Sequence, residues 1–113
     1  EEYVSEDGFK ILVGRNNVEN DRLTMKFAAK SDLWFHVKNA AGAHVILITE
    51  GRQISDSALL FAAGLAAKNS SLSSSQNVPV DYTFVKSVKK PNGAKAGMVI
   101  YENNKTLYVD PAK

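Results

Sequence analysis

The sequence predicts a single α+β domain with a mostly antiparallel sheet of about five to seven strands and one main helix. The first observation behind this is an alternation of apolar and polar residues over 32–38, which places Leu33, Phe35 and Val37 on one side of a strand. The second is a segment of about 55–69 in which small and large apolar residues recur at helical spacing. A chain of 113 residues, 44% of them hydrophobic, can bury one core of this kind.

The first half of the chain is expected to form a hairpin, a short helix and a buried strand. Asp7-Gly8 is a favoured two-residue turn, and the alternating residues 9–13 after it predict a strand. Asn16 or Asn17 then caps a shorter helix of about 17–24. The apolar run 44–49 predicts a central strand that is buried on both faces.

The second half supplies the main helix and the remaining strands. Ser55 and Asp56 offer N-cap oxygens to the helix of about 55–69, whose alanine-rich side allows close packing on a sheet. A serine-rich loop follows at 69–77. Three further strand patterns cover 80–89, 97–102 and 105–109, and Asn103-Asn104 is expected to join the last two in a tight hairpin.

Composition excludes several kinds of site and partner. The chain has no cysteine, so disulfides, thiolate zinc sites and cysteine nucleophiles are excluded. No apolar run approaches the roughly 20 residues that cross a bilayer, and no leader sequence opens the chain. We therefore expect a cytoplasmic protein with no membrane partner and no cofactor.

Because the chain begins with Glu1 and not with methionine, we expect residues 1–113 to be one domain, monomeric in isolation, cut from a longer multidomain protein.

Positive charge is concentrated late in the chain. The net charge is only +2, but residues 82–105 hold five lysines against the single acid Glu102, a local balance of 5 − 1 = +4. Clustered lysines attract phosphate without selecting a base sequence. The alternative is a solvated lysine face that only maintains solubility. The candidate phosphate-binding lysines are Lys86, Lys89, Lys90 and Lys95.

The strand at 32–38 carries the clearest candidate binding group. Alternation puts Asp32, Trp34 and His36 on one face at steps of about 7 Å. An indole can stack on an unpaired base while a carboxylate and an imidazole hydrogen-bond around it. We expect this face to be outward and to form a platform for an unstacked nucleotide. The alternative is that Trp34 covers a second, smaller core and His36 satisfies a backbone carbonyl.

Two further groups of residues are candidate binding sites. His44 is expected near His36 and Asp32, and two histidines with one carboxylate can bind a metal, so a metal-dependent enzyme is an alternative function. The spacing matches no specific metal signature. The turn formed by Gly14, Arg15, Asn16 and Asn17 offers a guanidinium and free backbone N–H groups to an anion, although ordinary helix capping explains the same residues.

Several ordered blocks resemble the NFACT RNA-binding domain of RqcH-like ribosome quality-control proteins, which are also known as fibronectin-binding protein A-like. The resemblance spans nearly the whole chain. Its blocks are Val13-Gly14-Arg15-Asn16-Asn17 with Asn20-Asp21 and Leu23-Thr24, Asp32-Leu33-Trp34-Phe35-His36, Gly42-Ala43-His44-Val45, and Val80-Asp81-Tyr82-Thr83 followed by Val88-Lys89-Lys90-Pro91-Asn92-Gly93-Ala94-Lys95.

This resemblance implies an RNA-binding domain without catalytic activity. Its expected partners are tRNA and the large ribosomal subunit with its rRNA, and the parent protein would recruit alanyl-tRNA for alanine tailing of stalled chains. The family's Asp-x-Trp-x-His element falls on Asp32, Trp34 and His36. We expect these three residues and His44 to be among the RNA-binding residues. A protein-interaction or adhesin module that binds fibronectin is the alternative suggested by the older family name.

Overall fold

A computed structural model describes all 113 residues and contains eight strands and two α-helices. The strands are β1 (Glu2–Val4), β2 (Lys10–Val13), β3 (Leu33–Val37), β4 (Val45–Leu47), β5 (Val78–Phe84), β6 (Val88–Lys89), β7 (Ile100–Tyr101) and β8 (Lys105–Val109). The helical segments are α1 (Asn17–Asp21), which continues as a π-helical turn (Arg22–Phe27), α2 (Asp56–Lys68) and a 3₁₀ turn (Val85–Ser87). No helix has the length and apolar character needed to span a membrane.

Six of the strands form one sheet in the order β1-β2-β4-β3-β5-β8, and every neighbouring pair is antiparallel. The predicted antiparallel sheet and the opening hairpin are therefore confirmed. All three residues of β4 are buried, because this strand lies inside the sheet and both of its faces are covered. The predicted central strand at 44–49 is confirmed in the same way.

Helix α2 covers one face of the sheet and forms the main core. Ser55 caps its first turn, where Oγ accepts a hydrogen bond from the Ala58 N–H at 3.1 Å. The alanines predicted to face the sheet (Ala58, Ala62 and Ala66) have no exposed surface. Their small side chains let the helix lie close to inward residues such as Phe35, so the alanine pattern was a correct indicator of close packing.

A second, thinner layer covers the opposite face of the sheet. It consists of the π-helical turn and the two-stranded sheet formed by β6 and β7. Trp34, Ile46, Val85 and Val88 form a small separate core beneath this layer. The protein therefore has three layers. The alternation pattern predicted that the Trp34 face of the sheet is open to solvent, but residues that are distant in sequence cover it.

Three boundary predictions need correction. The strand predicted over 80–89 is divided into β5 and β6 by the 3₁₀ turn at Val85–Ser87. The short helix predicted over about 17–24 exists but runs on to Phe27, where the Ala28 N–H donates to Leu23 O at 2.9 Å and closes a π-helical turn. The hairpin predicted at Asn103-Asn104 is wrong. Strand β7 pairs with β6, and β8 pairs with β5 over five residue pairs, because the open edge of β5 offers a longer ladder than the two residues of β7 do.

Candidate nucleic-acid interface

The prediction that Trp34 faces outward is wrong. Its side chain is 0% exposed and lies in the small second core, with the Tyr101 ring centroid at 4.6 Å. The layer formed by the π-helical turn and by β6 and β7 closes over it. Trp34 therefore cannot stack on a base in this conformation, and the alternative that it covers a second core describes the structure. Its indole Nε1–H has no hydrogen-bond partner.

The contacts of Asp32 are also internal to the protein. One carboxylate oxygen accepts a hydrogen bond from the Ala29 N–H at 2.8 Å, and the other accepts one from the Thr49 N–H at 3.0 Å. The side chain is 4% exposed. Asp32 therefore joins the turn before β3 to the end of β4, and the predicted outward role for this carboxylate is wrong.

His36 is the member of the trio that reaches a surface. It is half-buried, and its ring lies parallel to the Trp34 ring with centroids 5.8 Å apart. Its Nδ1 lies 2.6 Å from Val37 O, and a carbonyl can only accept, so Nδ1 carries the proton. Burial lowers the pKa of His36, although the carbonyls of Val37 and Gly42 partly oppose this effect. The imidazole is therefore neutral at neutral pH.

His44 is 1% exposed and connects three segments of the chain, so its ring is not available to RNA in this structure, contrary to the expectation that it contacts RNA. Its Nε2 lies 3.0 Å from Gly97 O, and its Nδ1 lies 2.8 Å from Thr24 Oγ1. Nε2 must donate to the carbonyl, so the Thr24 hydroxyl donates to Nδ1. The backbone N–H of His44 donates to Asn20 Oδ1 at 3.1 Å. Burial first, and then the neighbouring His36, lower the pKa of His44 to about 4, which keeps the ring neutral.

The loop between β6 and β7 is fixed to α1 by Asp21 and Lys90. One Asp21 oxygen accepts from the Gly97 N–H at 2.9 Å, and the other lies 3.2 Å from Lys90 Nζ. Lys90 Nζ also donates to Lys95 O at 2.6 Å and to Met98 O at 3.1 Å. The ammonium group predicted to contact phosphate is thus engaged inside the protein, whereas Lys86, Lys89 and Lys95 are exposed.

The predicted turn before α1 has the capping geometry that its sequence indicated. Asn16 Oδ1 accepts from the Glu19 N–H at 2.9 Å, and Glu19 in turn accepts from the backbone and the guanidinium of Arg15. The Arg15 side chain remains 70% exposed. A Cβ on Gly14 would lie 1.9 Å from Asn20 Oδ1, so this position has no room for a larger residue.

Two adjacent clefts share lining residues around this turn and are here together called the joined groove. The first, of about 500 Å³, lies between the turn before α1 and the end of α2. The second, of about 440 Å³, lies between His36 and the loop that contains Gly97. Both are lined by Asn17, Ala41 and Gly42. Arg15, Asn16, Asn17 and His36 line the joined groove, with His44 and Trp34 at the base of the second cleft.

Comparison with known proteins assigns the chain to a family. The profile described as "NFACT protein RNA binding domain" matches residues 1–103. The chain belongs to the NFACT RNA-binding domain family.

The relatives of this NFACT domain are much longer proteins. Those named "Rqc2 homolog RqcH" are 43% identical over 111 residues in Bacillus subtilis (strain 168) and 46% identical over 114 residues in Streptococcus suis (strain 05ZYH33). They match 98% and 100% of this chain, and this chain spans 19% and 20% of their lengths. The solved C-terminal part of the fibronectin/fibrinogen-binding protein from Streptococcus suis superposes with a TM-score of 0.95 at 45% identity, covering 100% of this chain and 45% of that chain.

Sequence patterns did not reveal the polar residues that hold the groove of this NFACT domain in place. Asn20, Asp21 and Thr24 were noted only as part of the resemblance, yet all three hold its walls. Asp81, the strand partner of His36, is buried and accepts from Tyr101 and Thr106, both at 2.6 Å. Burial and the Asp81 carboxylate raise the pKa of Tyr101, so its hydroxyl stays a donor. A polar residue inside an apolar strand, such as Asp81, was the one available signal.

The metal-binding hypothesis fails on geometry. His36 and His44 are adjacent, with ring centroids 5.7 Å apart. Asp32 lies at the other end of β3, and both of its oxygens accept backbone N–H groups. No three histidine, aspartate or glutamate side chains are placed to share an ion. The predicted convergence is therefore right for the two histidines and wrong for Asp32.

Proposed function

We propose that this NFACT domain binds RNA in the joined groove. In a longer parent protein similar to RqcH, it would help to hold tRNA on an obstructed large ribosomal subunit while alanyl-tRNA is recruited for alanine tailing. The observation that carries the proposal is the meeting of three family segments, the turn at Gly14–Asn17, the end of β3 and the stretch before β4, at one solvent-accessible groove. The proposal includes no chemical step for this domain.

The groove offers the groups that single-stranded RNA requires. The partly exposed His36 ring, which lies parallel to the Trp34 ring with centroids 5.8 Å apart, provides a stacking surface for a base. The exposed amides of Asn16 and Asn17 can donate to and accept from base edges and 2′-hydroxyls. Arg15 can exchange its exposed pairing with Glu19 for a phosphate, because surface ion pairs contribute only about 0–1 kcal/mol.

The groove is also preorganised. His44, Asn20 and Asp21 connect α1, the stretch before β4 and the loop at Gly97 by hydrogen bonds of 2.9–3.1 Å. A Cβ on Gly97 would lie 2.7 Å from Asn17 Oδ1, and its φ is +83°. The loop can therefore approach Asn17 only with glycine at this position. Walls fixed in advance reduce the ordering cost of binding.

Fluorescence anisotropy with labelled tRNA tests the proposal. We expect His36→Ala and Asn17→Ala to weaken binding by about tenfold each, because a stacked base or a paired polar group contributes roughly 1–3 kcal/mol. Asn104→Ala is the matched control, since Asn104 is exposed in the turn before β8, away from the groove. Thermal melts should show all three variants folded. Equal affinity of the wild type and both groove variants would contradict this location for the site.

A change of titrant separates the alternative function. The structural neighbour from Streptococcus suis carries a name that includes fibronectin and fibrinogen binding. Fibronectin can therefore replace tRNA as the titrant in a parallel experiment. Saturable fibronectin binding by the wild-type domain, together with no RNA affinity at low salt, would favour the protein-interaction function over the one proposed.

A further inference from the structure

A second cationic surface lies on the outer layer, at a distance from the joined groove. It is formed by three exposed lysines and two exposed aromatic rings, here called the lysine–phenylalanine patch: Lys26, Lys30 and Lys86 with Phe27 and Phe84. Only Lys86 belongs to the lysine cluster that the sequence indicated. The other two lysines come from the end of the π-helical turn and the loop after it.

The backbone brings these segments together. The Lys86 N–H donates to Lys30 O at 3.2 Å, so the loop before β3 and the 3₁₀ turn after β5 run side by side. Lys86 Nζ lies 5.7 Å from the centroid of the Phe84 ring, within the range of a cation–π contact. Phe27 is 61% exposed and Phe84 is 47% exposed. Both rings thus lie on the surface, and the Phe84 ring lies beside the Lys86 ammonium group.

The three lysines are not neutralised by the protein. The ion pairs of the chain are Lys10–Glu2, Arg15–Glu19 and Lys90–Asp21, and none involves the patch. Asp32, the nearest acid in sequence to Lys30, is buried and bonded to backbone N–H groups. Glu102 lies beside the 3₁₀ turn, where its N–H donates to Ser87 O at 3.2 Å. Exposed Glu50 follows Thr49, whose hydroxyl donates to Ser31 O at 3.1 Å. With both carboxylates included, the local balance is 3 − 2 = +1.

The position of the patch relative to the groove follows from the register of the sheet. Leu33 at the start of β3 is paired with Phe84, whereas His36 and Val37 at its end line the groove. Four residues of an extended strand span about 13 Å. The patch and the groove therefore lie at opposite ends of one strand, with a separation that several nucleotides of an RNA chain can cover.

We propose that the lysine–phenylalanine patch is a second contact surface for the same RNA that occupies the joined groove. This inference rests on the proposed function, and it adds a second, largely electrostatic contact. The lysines neutralise phosphates, and the exposed rings of Phe27 and Phe84 stack on unpaired bases, as they do where single strands are bound without base selection. The occupant is RNA because unneutralised cations interleaved with exposed aromatic rings match a chain of phosphates and bases.

The salt dependence of binding tests this inference. The patch variant combines Lys26→Gln, Lys30→Gln and Lys86→Gln. The matched control combines Lys10→Gln, Lys105→Gln and Lys113→Gln, which removes the same charge from exposed positions elsewhere. Affinity for tRNA is measured by anisotropy between about 50 and 200 mM salt. Each lost phosphate contact lowers the slope of log K against log salt by roughly 0.7–0.9.

We expect the patch variant to lower that slope by about two units and to weaken binding at least tenfold at low salt, while the control changes the slope by less than one. Phe84→Ala should weaken binding about fivefold or more with no change in slope. A patch variant with the slope of the control, in a domain that binds tRNA and responds to the groove variants, would overturn this inference alone. A wild-type domain without RNA affinity would overturn the proposed function as well.

Discussion

Replacement of Trp34 separates a structural role from a binding role for this residue. Trp34→Ala removes an indole that is 0% exposed and leaves a cavity in the small second core. Such substitutions cost about 3–5 kcal/mol, a large part of the roughly 5–15 kcal/mol that stabilises a domain. We therefore expect Trp34→Ala to lose RNA binding because it unfolds the outer layer, and not because it removes a stacking surface.

Trp34→Phe is the informative partner variant. It keeps an aromatic ring next to Tyr101 and removes the Nε1–H that has no hydrogen-bond partner. The loss of buried ring atoms costs roughly 2 kcal/mol, and removal of an unsatisfied buried donor offsets about 1–3 kcal/mol. The net change in the free energy of unfolding should therefore be within about 1 kcal/mol.

The assay is urea unfolding followed by circular dichroism, since Trp34 is the only tryptophan and neither variant retains indole fluorescence. RNA affinity is then measured under conditions in which each variant is at least 95% folded by its own melting curve. We expect Trp34→Phe to bind tRNA as the wild type does. A tenfold loss of affinity in a fully folded Trp34→Phe protein would refute the argument and restore a direct contact between the indole and RNA.

Three further predictions follow from the contacts that hold the groove. Gly14→Ala should destabilise the domain by about 2 kcal/mol or more in urea melts, because the new Cβ would displace the buried Asn20 amide; unchanged stability would contradict the close approach. Burial lowers the pKa of His44 from 6.5 to about 4. Its contribution to the free energy of unfolding is therefore complete above pH 6.5, and it falls by on the order of 3 kcal/mol as the pH drops toward 4. In melts at pH 7.5 and 4.5, His44→Gln should lack this decline, which the wild type shows. An equal loss of stability in both proteins would refute this prediction. Lys90→Met should speed amide hydrogen exchange in the loop before β7, whereas Lys89→Met should not, because only Lys90 bonds to that loop; equal exchange in both variants would contradict this role.

Local patterns predicted the strands and the main helix of this domain. The alternation over 32–38 placed Leu33, Phe35 and Val37 correctly on the face covered by α2, because side-chain direction in a strand depends only on position along it. The caps at Asn16 and Ser55 were predictable for a similar reason, since a cap bonds to a backbone N–H only three residues away.

Tertiary structure alone decided what covers the other face of β3. Trp34 is buried by Val85, Val88 and Tyr101, which lie 51 to 67 residues further along the chain. An alternating pattern shows that the two faces of a strand differ. It does not show whether a later segment of the chain packs over the more polar face. The same limit produced the wrong hairpin at Asn103-Asn104, where strand pairing was decided by the open edge of β5.

The candidate site shows the same division. The sequence by itself determined which residues have the chemistry to bind RNA, and it placed Arg15, Asn16 and Asn17 on an exposed turn. Only the folded chain decided that His36 reaches the groove while Asp32 and Lys90 are engaged in internal hydrogen bonds. The physical reason is that residue type fixes what a side chain can bind, whereas burial and competing partners, which depend on distant segments, fix whether it is free to do so.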